Sequence, residues 1–201
     1  MIIRDLHIQN YQTAWQNMLS FVDTRNENSA DEMWLLEHEP VFTLGVAGVE
    51  AHILQNPSKI PVVRSDRGGQ VTYHGPGQLI IYPLINLARH KLSVKEYVTS
   101  LEQMVIDLLQ EFAIDAQRNP QMPGVYVNNA KIASIGIRVR RDWALHGVSL
   151  NVNMDLAPFD WINPCGIAQQ KMVQIADFVP QVKVADIKHH MRQQNGLLLQ
   201  I

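Results

Sequence analysis

The chain places its densest cluster of glycines directly before its most apolar run, within residues 67–85. The cluster reads Arg67-Gly68-Gly69-Gln70-Val71-Thr72-Tyr73-His74-Gly75-Pro76-Gly77-Gln78, and the run reads Leu79-Ile80-Ile81-Tyr82-Pro83-Leu84-Ile85. A short apolar run bounded by turn residues is typical of a strand buried on both faces of a sheet. We therefore predict a turn region over residues 67–78 and a central strand over residues 79–85.

The sequence before and after this strand predicts helices and strands that do not alternate regularly. Residues 11–22 carry one apolar helical stripe behind a candidate N-cap at Asn10, and residues 94–112 carry another behind the capping box Ser93–Glu96. A third helix is predicted over residues 182–191 and a loop over residues 157–166. Strands are predicted over residues 2–8, 33–36, 41–44, 62–63, 125–127, 132–139 and 148–154. Few helices among many strands predict an α+β (α/β) fold, with helices packed on a mixed or antiparallel sheet.

Composition limits the class of protein. The chain has 201 residues, of which 46% are hydrophobic and 18% charged, and this predicts one large globular domain or two tightly joined ones. A net charge of −2 argues against bulk nucleic-acid binding. Met1 is followed by Ile2-Ile3-Arg4-Asp5, and no apolar run approaches the roughly 20 residues that span a bilayer. We therefore expect a cytoplasmic protein with no membrane and no nucleic-acid partner.

Cys165 is the one cysteine of the sequence and lies in the segment Asn163-Pro164-Cys165-Gly166-Ile167. A lone cysteine is usually a small buried hydrophobe, but Pro164 and Gly166 place this one on a tight loop, where functional residues concentrate. A free thiol has a pKa of roughly 8.5, so a nucleophilic role needs a partner that stabilises the thiolate. Both roles stay open on the residues alone.

Two side chains are candidates for that partner. His74 lies inside the glycine-rich segment, and Lys131 opens the strand predicted over residues 132–139. Strict alternation would place Lys131 on one face with Ala133, Ile135, Ile137 and Val139, where partial desolvation lowers the pKa of a lysine. The alternative is an ordinary strand-end lysine with its ammonium in water.

Phosphate and metal motifs are absent from the sequence. The glycine-rich segment matches neither the P-loop nor the dinucleotide fingerprint, so it is either a ligand-approach loop or a pair of tight turns. The eight histidines show no metal-ligand spacing, and we expect no metal site.

Four segments, in this order, resemble the lipoyl (octanoyl) transferase family: residues 67–78, 131–136, 146–153 and 163–166. The resemblance runs from about Trp34 to Ile167. It implies a fold similar to the catalytic domain of biotin and lipoate protein ligases, in one catalytic domain over residues 1–201. It also implies transfer of an octanoyl group from acyl carrier protein to a lysine of lipoyl domains, in the first step of endogenous lipoate synthesis and without a cofactor. The acceptors in this family are 2-oxoacid dehydrogenase complexes and the glycine-cleavage H protein.

The resemblance also implies site residues. The acyl thioester would form on Cys165 and Lys131 would tune it. His74 stays a further catalytic candidate because of its place in the glycine-rich segment. Ser134, Gly136 and Gly147 are expected to leave room for an eight-carbon chain. The implied substrate-binding residues are Arg67, Gly68, Gly69, Gln70, Val71, Thr72, Tyr73, His74, Ser134, Ile135, Gly136, Gly147, Val148 and Ser149. Arg138, Arg140 and Arg141 would form either a basic patch for an acidic carrier protein or a solvated strand end.

Other functions stay open on the sequence. An ATP-dependent lipoate or biotin ligase shares the expected fold but has no use for Cys165. An amidotransferase between lipoyl domains differs only in its donor. A non-catalytic module that binds acylated carriers would need neither Cys165 nor Lys131, and a Cys–His hydrolase would use His74 as its base.

Overall fold

The computed structural model describes residues 1–163 and 170–193, and it consists of two sheets and three helices within those ranges. The helices are α1 (Tyr11–Asp23), α2 (Val94–Gln110) and α3 (Val184–Gln193). The strands are β1 (Ile2–Gln9), β2 (Glu32–His38), β3 (Val41–Leu44), β4 (Val62–Arg64), β5 (Val71–His74), β6 (Gln78–Leu84), β7 (Gln117–Arg118), β8 (Val125–Val127), β9 (Ala130–Arg140) and β10 (Trp143–Asn151).

The larger sheet has seven strands in the order β1-β2-β6-β10-β9-β8-β7. Only β1 and β2 pair in parallel, so the sheet is mixed, as predicted. The strand predicted from residues 79–85 is confirmed as β6, which lies between β2 and β10 with all seven residues buried. A separate sheet of three strands has the order β4-β3-β5, which the single predicted sheet did not include.

Helices cover both faces of the larger sheet. Alternation along β6 sends Ile80 to a core shared with α1 and Ile81 to a larger core shared with α2 and α3. The N-cap at Asn10 and the capping box of Ser93 and Glu96 are both confirmed. The third helix begins at Val184, two residues later than predicted. Within the described ranges, the chain has no helix that is long and apolar enough to cross a membrane.

Three sequence-based assignments need correction. The predicted turn region contains β5, because Val71 and Tyr73 are buried strand formers and Tyr73 pairs with Phe42 of β3. The strand predicted over residues 148–154 is β10, which starts earlier, ends at Asn151 and buries all nine of its residues. The loop predicted over residues 157–166 begins with a 3-10 turn at Ala157–Trp161, and its residues 164–166 lie outside the described residues.

Candidate functional site

A cavity of about 270 Å³ lies along β9 and β10, under the glycine-rich segment. It is lined by most of the candidate site residues from the sequence, namely Arg67, Gly68, Gly69, Gln70, Val71, Thr72, His74, Lys131, Ser134, Ile135, Gly136, Gly147, Val148 and Ser149. Tyr73 does not line the cavity, because its ring packs between Phe42 and Phe159. Cys165 lies outside the described residues.

The pairing of β9 with β10 explains how distant segments meet. Ser134 lies opposite Ser149, Gly136 opposite Gly147, and Ile137 opposite His146. The tight connection between the two strands fixes this register. Residues 133–136 therefore pair with residues 147–150 and form one continuous floor.

Backbone contacts explain the two glycines of this floor. The amide of Gly68 donates to Ile137 O over 2.9 Å, so the glycine-rich segment lies directly on β9. A Cβ on Gly136 would lie 3.0 Å from Gly68 O, and one on Gly147 would lie 2.3 Å from Ile81 O. Both glycines line the cavity, and neighbouring backbone fills the space where a side chain at either position would point. The expectation that they leave room for an acyl chain stays a prediction.

Arg67 organises the glycine-rich segment from inside. Its guanidinium is buried and donates to Thr43 O and Gln70 O over 2.7 Å and to Gly68 O over 2.9 Å. A buried cation needs such acceptors, because its transfer out of water is costly. The bonds hold residues 67–70 in a closed turn against β3.

His74 lines the cavity and belongs to a buried hydrogen-bonded network. Its Nδ1 lies 2.7 Å from Gln78 Oε1, and its Nε2 lies 3.4 Å from Thr43 Oγ1. Gln78 Oε1 can only accept, so Nδ1 carries the proton and Nε2 accepts from the threonine hydroxyl. Burial holds the pKa of His74 well below its usual value, and the imidazole is therefore neutral. Both ring nitrogens are occupied by interior groups.

Lys131 is buried, with 5% of its surface exposed, so the alternative of a strand-end lysine in water is wrong. Its ammonium donates to Pro123 O over 3.3 Å and lies 5.3 Å from the centre of the Tyr126 ring. The expected alternation is interrupted, because the β8–β9 pairing shifts register between Val125 and Tyr126. A kink of this kind re-aims a side chain at the edge of a site.

The chain that follows residues 164–169 meets Lys131 directly. The backbone amide of Lys131 donates to Lys171 O over 2.9 Å, and Val173 N donates to Lys131 O over 3.0 Å. Met172, between them, lines the cavity. This segment is therefore fixed to the start of β9 at the position of the buried lysine.

His146 is a cavity residue that the sequence reasoning missed. Its Nε2 lies 2.8 Å from Asp66 Oδ1, and its backbone has a φ of +61°, which is uncommon outside glycine. Burial lowers the pKa of His146 despite the nearby carboxylate. Burial by itself would raise the pKa of Asp66, but the hydrogen bond and charge of His146 lower it. The one indication in the sequence was that His146 is the first residue of the motif segment 146–153.

Other cavity residues could not be found from motifs. They lie outside the four motif segments of the sequence: Tyr11, Ile80, Tyr82, Val98, Pro123, Ile137, Phe159 and Met172. Most are apolar, which suits a cavity for an alkyl chain. In residues 1–163 and 170–193, no group of three or more His, Cys, Asp or Glu side chains is arranged to hold a metal ion.

Arg140 and Arg141 belong to a local ion pair on the surface. Asp23 Oδ1 lies 2.8 Å from Arg140 Nη2 and 3.7 Å from Arg141 Nη1. Neither residue lines the cavity. This pairing reduces the positive field at the end of β9.

A family model and curated relatives match most of the chain. The family described as the lipoyl protein ligase A/B catalytic domain matches residues 10–195. An octanoyltransferase from Haemophilus influenzae is 54% identical over 182 residues, which cover 90% of this chain and 85% of that protein. An octanoyltransferase from Legionella pneumophila is 49% identical over 193 residues, which cover 96% of both chains.

Solved structures share the fold at low sequence identity. A bipartite lipoate protein ligase from Thermoplasma acidophilum matches with a TM-score of 0.79 and 14% identity, over 98% of this chain and 83% of that one. A biotin protein ligase from Aquifex aeolicus matches with a TM-score of 0.55 and 12% identity, over 99% and 69%. The expected ligase-like fold is confirmed, and with the family match and relatives about half identical, the chain belongs to the lipoyl protein ligase A/B catalytic domain family.

Proposed function

We propose that this chain is an octanoyltransferase whose single catalytic domain spans residues 1–201. It moves an octanoyl group from acyl carrier protein to a lysine of a lipoyl domain, through a thioester on Cys165. The observation that carries the proposal is the burial of Lys131 in the wall of an apolar cavity, paired with the chain segment that follows Cys165. The octanoyltransferase relatives, which match nearly the whole chain, support the same reaction.

Lys131 and Cys165 form the proposed catalytic pair. Cys165 is six positions before Lys171, whose carbonyl oxygen accepts from the backbone amide of Lys131. An ammonium next to a thiol stabilises the thiolate, which is the nucleophile. The partly apolar surroundings of Lys131 suit it to exchange a proton within the site.

In the first half-reaction, the Cys165 thiolate attacks the carbonyl carbon of the carrier thioester. A bond from Cys165 Sγ to the acyl carbon forms, and the bond from that carbon to the carrier sulfur breaks. The Lys131 ammonium gives its proton to the departing sulfur, so the carrier leaves as a thiol and Lys131 becomes a neutral amine.

In the second half-reaction, the neutral amine of the acceptor lysine attacks the acyl carbon. The new amide bond forms as the bond to Cys165 Sγ breaks, and Lys131 takes the proton that the attacking nitrogen loses. The thiolate and the ammonium are then restored. No ATP is needed, because the donor thioester is already activated.

The cavity supplies the affinity for the acyl chain of the substrate. Ile135, Ile137 and Val148 line it, and each buried methylene of the substrate contributes roughly 0.8 kcal/mol. We assign His74 a positioning role, because it lines the cavity and hydrogen bonds from both ring nitrogens to Thr43 and Gln78 fix its ring. The other predicted binding residues of the glycine-rich segment and of β9 and β10, except Tyr73, line the cavity around the acyl chain.

The test of the proposed function separates a transferase from an ATP-dependent ligase. Purified protein is mixed with a lipoyl domain and either octanoyl-acyl carrier protein alone or free octanoate with ATP. Mass spectrometry of the lipoyl domain should show one octanoyl group from the carrier donor without ATP. Modification only with octanoate and ATP, accompanied by pyrophosphate release, would overturn the transferase assignment in favour of a ligase.

A further inference from the structure

Asp66, the residue directly before the glycine-rich segment, is hydrogen-bonded to His146 of β10. A carboxylate can only accept, so His146 Nε2 carries the proton and donates to Asp66 Oδ1 over 2.8 Å. The side chain of His146 is 2% exposed and that of Asp66 is 33% exposed. A hydrogen bond to an ionised group is stronger than one between two neutral groups, and burial protects it from water. The bond therefore ties the start of the glycine-rich segment to the larger sheet.

The backbone of His146 is unusual at the point where this contact forms. Its φ is +61° in the middle of β10, where extended backbone is expected. A residue other than glycine adopts this conformation at a cost in free energy, so the surrounding structure has to stabilise it. The hydrogen bond to Asp66 is a contact of this kind, and an outlier held in this way indicates a functional requirement.

Pro83 of β6 explains why β10 can leave regular strand geometry here. The pairing of β10 with β6 begins with Val148 opposite Ile81, and the same register continued would place His146 opposite Pro83. Proline has no amide hydrogen to donate to a neighbouring strand. The carbonyl oxygen of Pro83 accepts from the Tyr97 hydroxyl over 2.8 Å. Strand β6 therefore offers no amide donor at this position, and the backbone of β10 can take up the positive φ.

A second hydrogen bond fixes the same segment to the neighbouring strand. The amide of Gly68 donates to Ile137 O over 2.9 Å, and Ile137 lies opposite His146 in the pairing of β9 with β10. Asp66 and Gly68 are therefore bonded to two facing residues of adjacent strands. Residues 67–72 line the cavity. The position of this wall of the cavity thus depends on both bonds.

We propose that Asp66 and His146 are positioning residues that hold the glycine-rich segment in the form that binds the acyl donor, an inference that rests on the proposed octanoyl transfer. Without their bond, the segment exchanges between the described form and others, and only the described form binds the donor. The apparent dissociation constant then rises by the reciprocal of the fraction that is competent to bind. Since a hydrogen bond to a charged group shifts such an equilibrium by roughly tenfold or more, we expect a rise of roughly tenfold.

The rate of acyl transfer within the bound complex should not change, because the bound donor keeps the segment in its described form. This separation of binding from chemistry distinguishes a positioning role from a general loss of structure. A residue that only stabilised the fold would lower the melting temperature and leave the affinity of the folded protein for its donor unchanged.

The experiment measures two quantities with octanoyl-acyl carrier protein as the probe. Calorimetric titration gives the dissociation constant in a Cys165→Ala background, which cannot form the thioester, and single-turnover acylation at saturating donor gives the rate with Cys165 present. Asp66→Ala removes the acceptor, and His146→Asn removes the Nε2 donor while keeping a residue type that tolerates a positive φ. Each should raise the dissociation constant by roughly tenfold and leave the rate unchanged. Asp66→Asn keeps an acceptor oxygen and should restore most of the affinity.

A double variant tests whether the two residues act through one bond. Asp66→Ala combined with His146→Asn should raise the dissociation constant no further than the larger single effect, because the second substitution removes a bond that is already lost. Two independent effects would multiply instead. Multiplied effects in the double variant would overturn the assignment of a shared positioning bond.

The matched control is Asp115→Ala, an exposed aspartate after α2 that does not line the cavity. Its dissociation constant should equal that of the unaltered protein. Thermal unfolding identifies any variant that fails to fold, and either folded single variant is sufficient, because the two remove opposite sides of the bond. An unchanged dissociation constant in a folded variant overturns the positioning role alone. Absence of octanoyl transfer by the unaltered enzyme overturns the proposed function as well.

Discussion

The ammonium of Lys131 lies 3.3 Å from the carbonyl oxygen of Pro123, in a loop that a second buried side chain holds in place. Gly124, the next residue of that loop, donates its amide to Glu102 Oε1 over 3.0 Å. Glu102 belongs to α2, which packs on β9. The position of the proposed catalytic lysine therefore depends on a carboxylate of a different element.

Replacing Glu102 tests this dependence. Glu102→Ala leaves the Gly124 amide without its acceptor, so we expect a loss of roughly 1–3 kcal/mol in the free energy of unfolding. Transfer activity should fall by roughly tenfold, because a misplaced Lys131 is a poor proton donor. Glu102→Gln keeps an acceptor oxygen and should retain most of the stability and most of the transfer activity. Urea unfolding and kcat/KM measure the two effects, and equal activity of the alanine and glutamine variants would contradict the dependence.

Removing the amine of Lys131 should slow both half-reactions. For Lys131→Met we expect losses of roughly 10²- to 10⁴-fold in the rate of Cys165 acylation and in the rate of transfer to the acceptor, the usual range for a lost general acid or base. Single-turnover measurements with octanoyl carrier protein resolve the two rates. Lys95→Met, on the exposed side of α2, is the control and should leave both rates unchanged. A normal acylation rate in Lys131→Met would exclude its role as proton donor to the carrier sulfur.

The two floor glycines should differ in their tolerance of a methyl group. Gly147→Ala places a Cβ 2.3 Å from Ile81 O, and Gly136→Ala places one 3.0 Å from Gly68 O. Backbone must move in both, and strain of this kind costs roughly 1–3 kcal/mol or more. Melting temperatures should fall in the order Ser134→Ala, Gly136→Ala, Gly147→Ala, with the serine variant nearly unchanged. A stable Gly147→Ala protein would show that the strands do not approach as closely as described.

Stability should depend on pH through the buried histidines. Burial lowers the pKa of His38 from 6.5 to about 4, so the folded state binds fewer protons than the unfolded state between these values. Stability is therefore present above pH 6.5 and falls as the pH drops toward 4, by an amount on the order of 3 kcal/mol for His38. His74, whose pKa burial also lowers, adds to the same trend.

The variant His38→Gln isolates the contribution of one histidine. Glutamine does not titrate, and its amide can replace the hydrogen bonds to Gln9 O and the Tyr82 hydroxyl. The loss of unfolding free energy between pH 7 and pH 5 should be smaller in this variant than in the unaltered protein. Identical pH dependence of the two proteins in urea titrations would contradict the assignment of a neutral, buried His38.

Local signals in the sequence predicted the elements that local chemistry determines. Asn10 caps α1, Ser93 and Glu96 cap α2, and the apolar run before Ile85 forms the buried strand β6. Strand β5 was missed, because glycines surround it and only its pairing with β3 makes it a strand. Long-range pairing also explains why the contact of Asp66 with His146, across 80 positions of the chain, could not be read from either residue.

The sequence predicted most of the residues that line the cavity, but not all of them. The motif segments identify most of the cavity wall, because the register of β9 and β10 brings them together. Tyr11 of α1 and Tyr82 of β6 also line the cavity. They could not be predicted, because no local pattern in the sequence shows how α1 packs against β6. The assignment of Cys165 and Lys131 as a catalytic pair stays a prediction.

The intact mass of the protein after incubation with octanoyl-acyl carrier protein, without an acceptor, tests the central claim most directly. The account predicts a mass increase of one octanoyl group that hydroxylamine removes, because a thioester reacts with hydroxylamine and an amide does not. The increase should be absent in Cys165→Ser and present in Lys95→Met. An octanoyl adduct that persists in Cys165→Ser, or full transferase activity of that variant, would contradict the account.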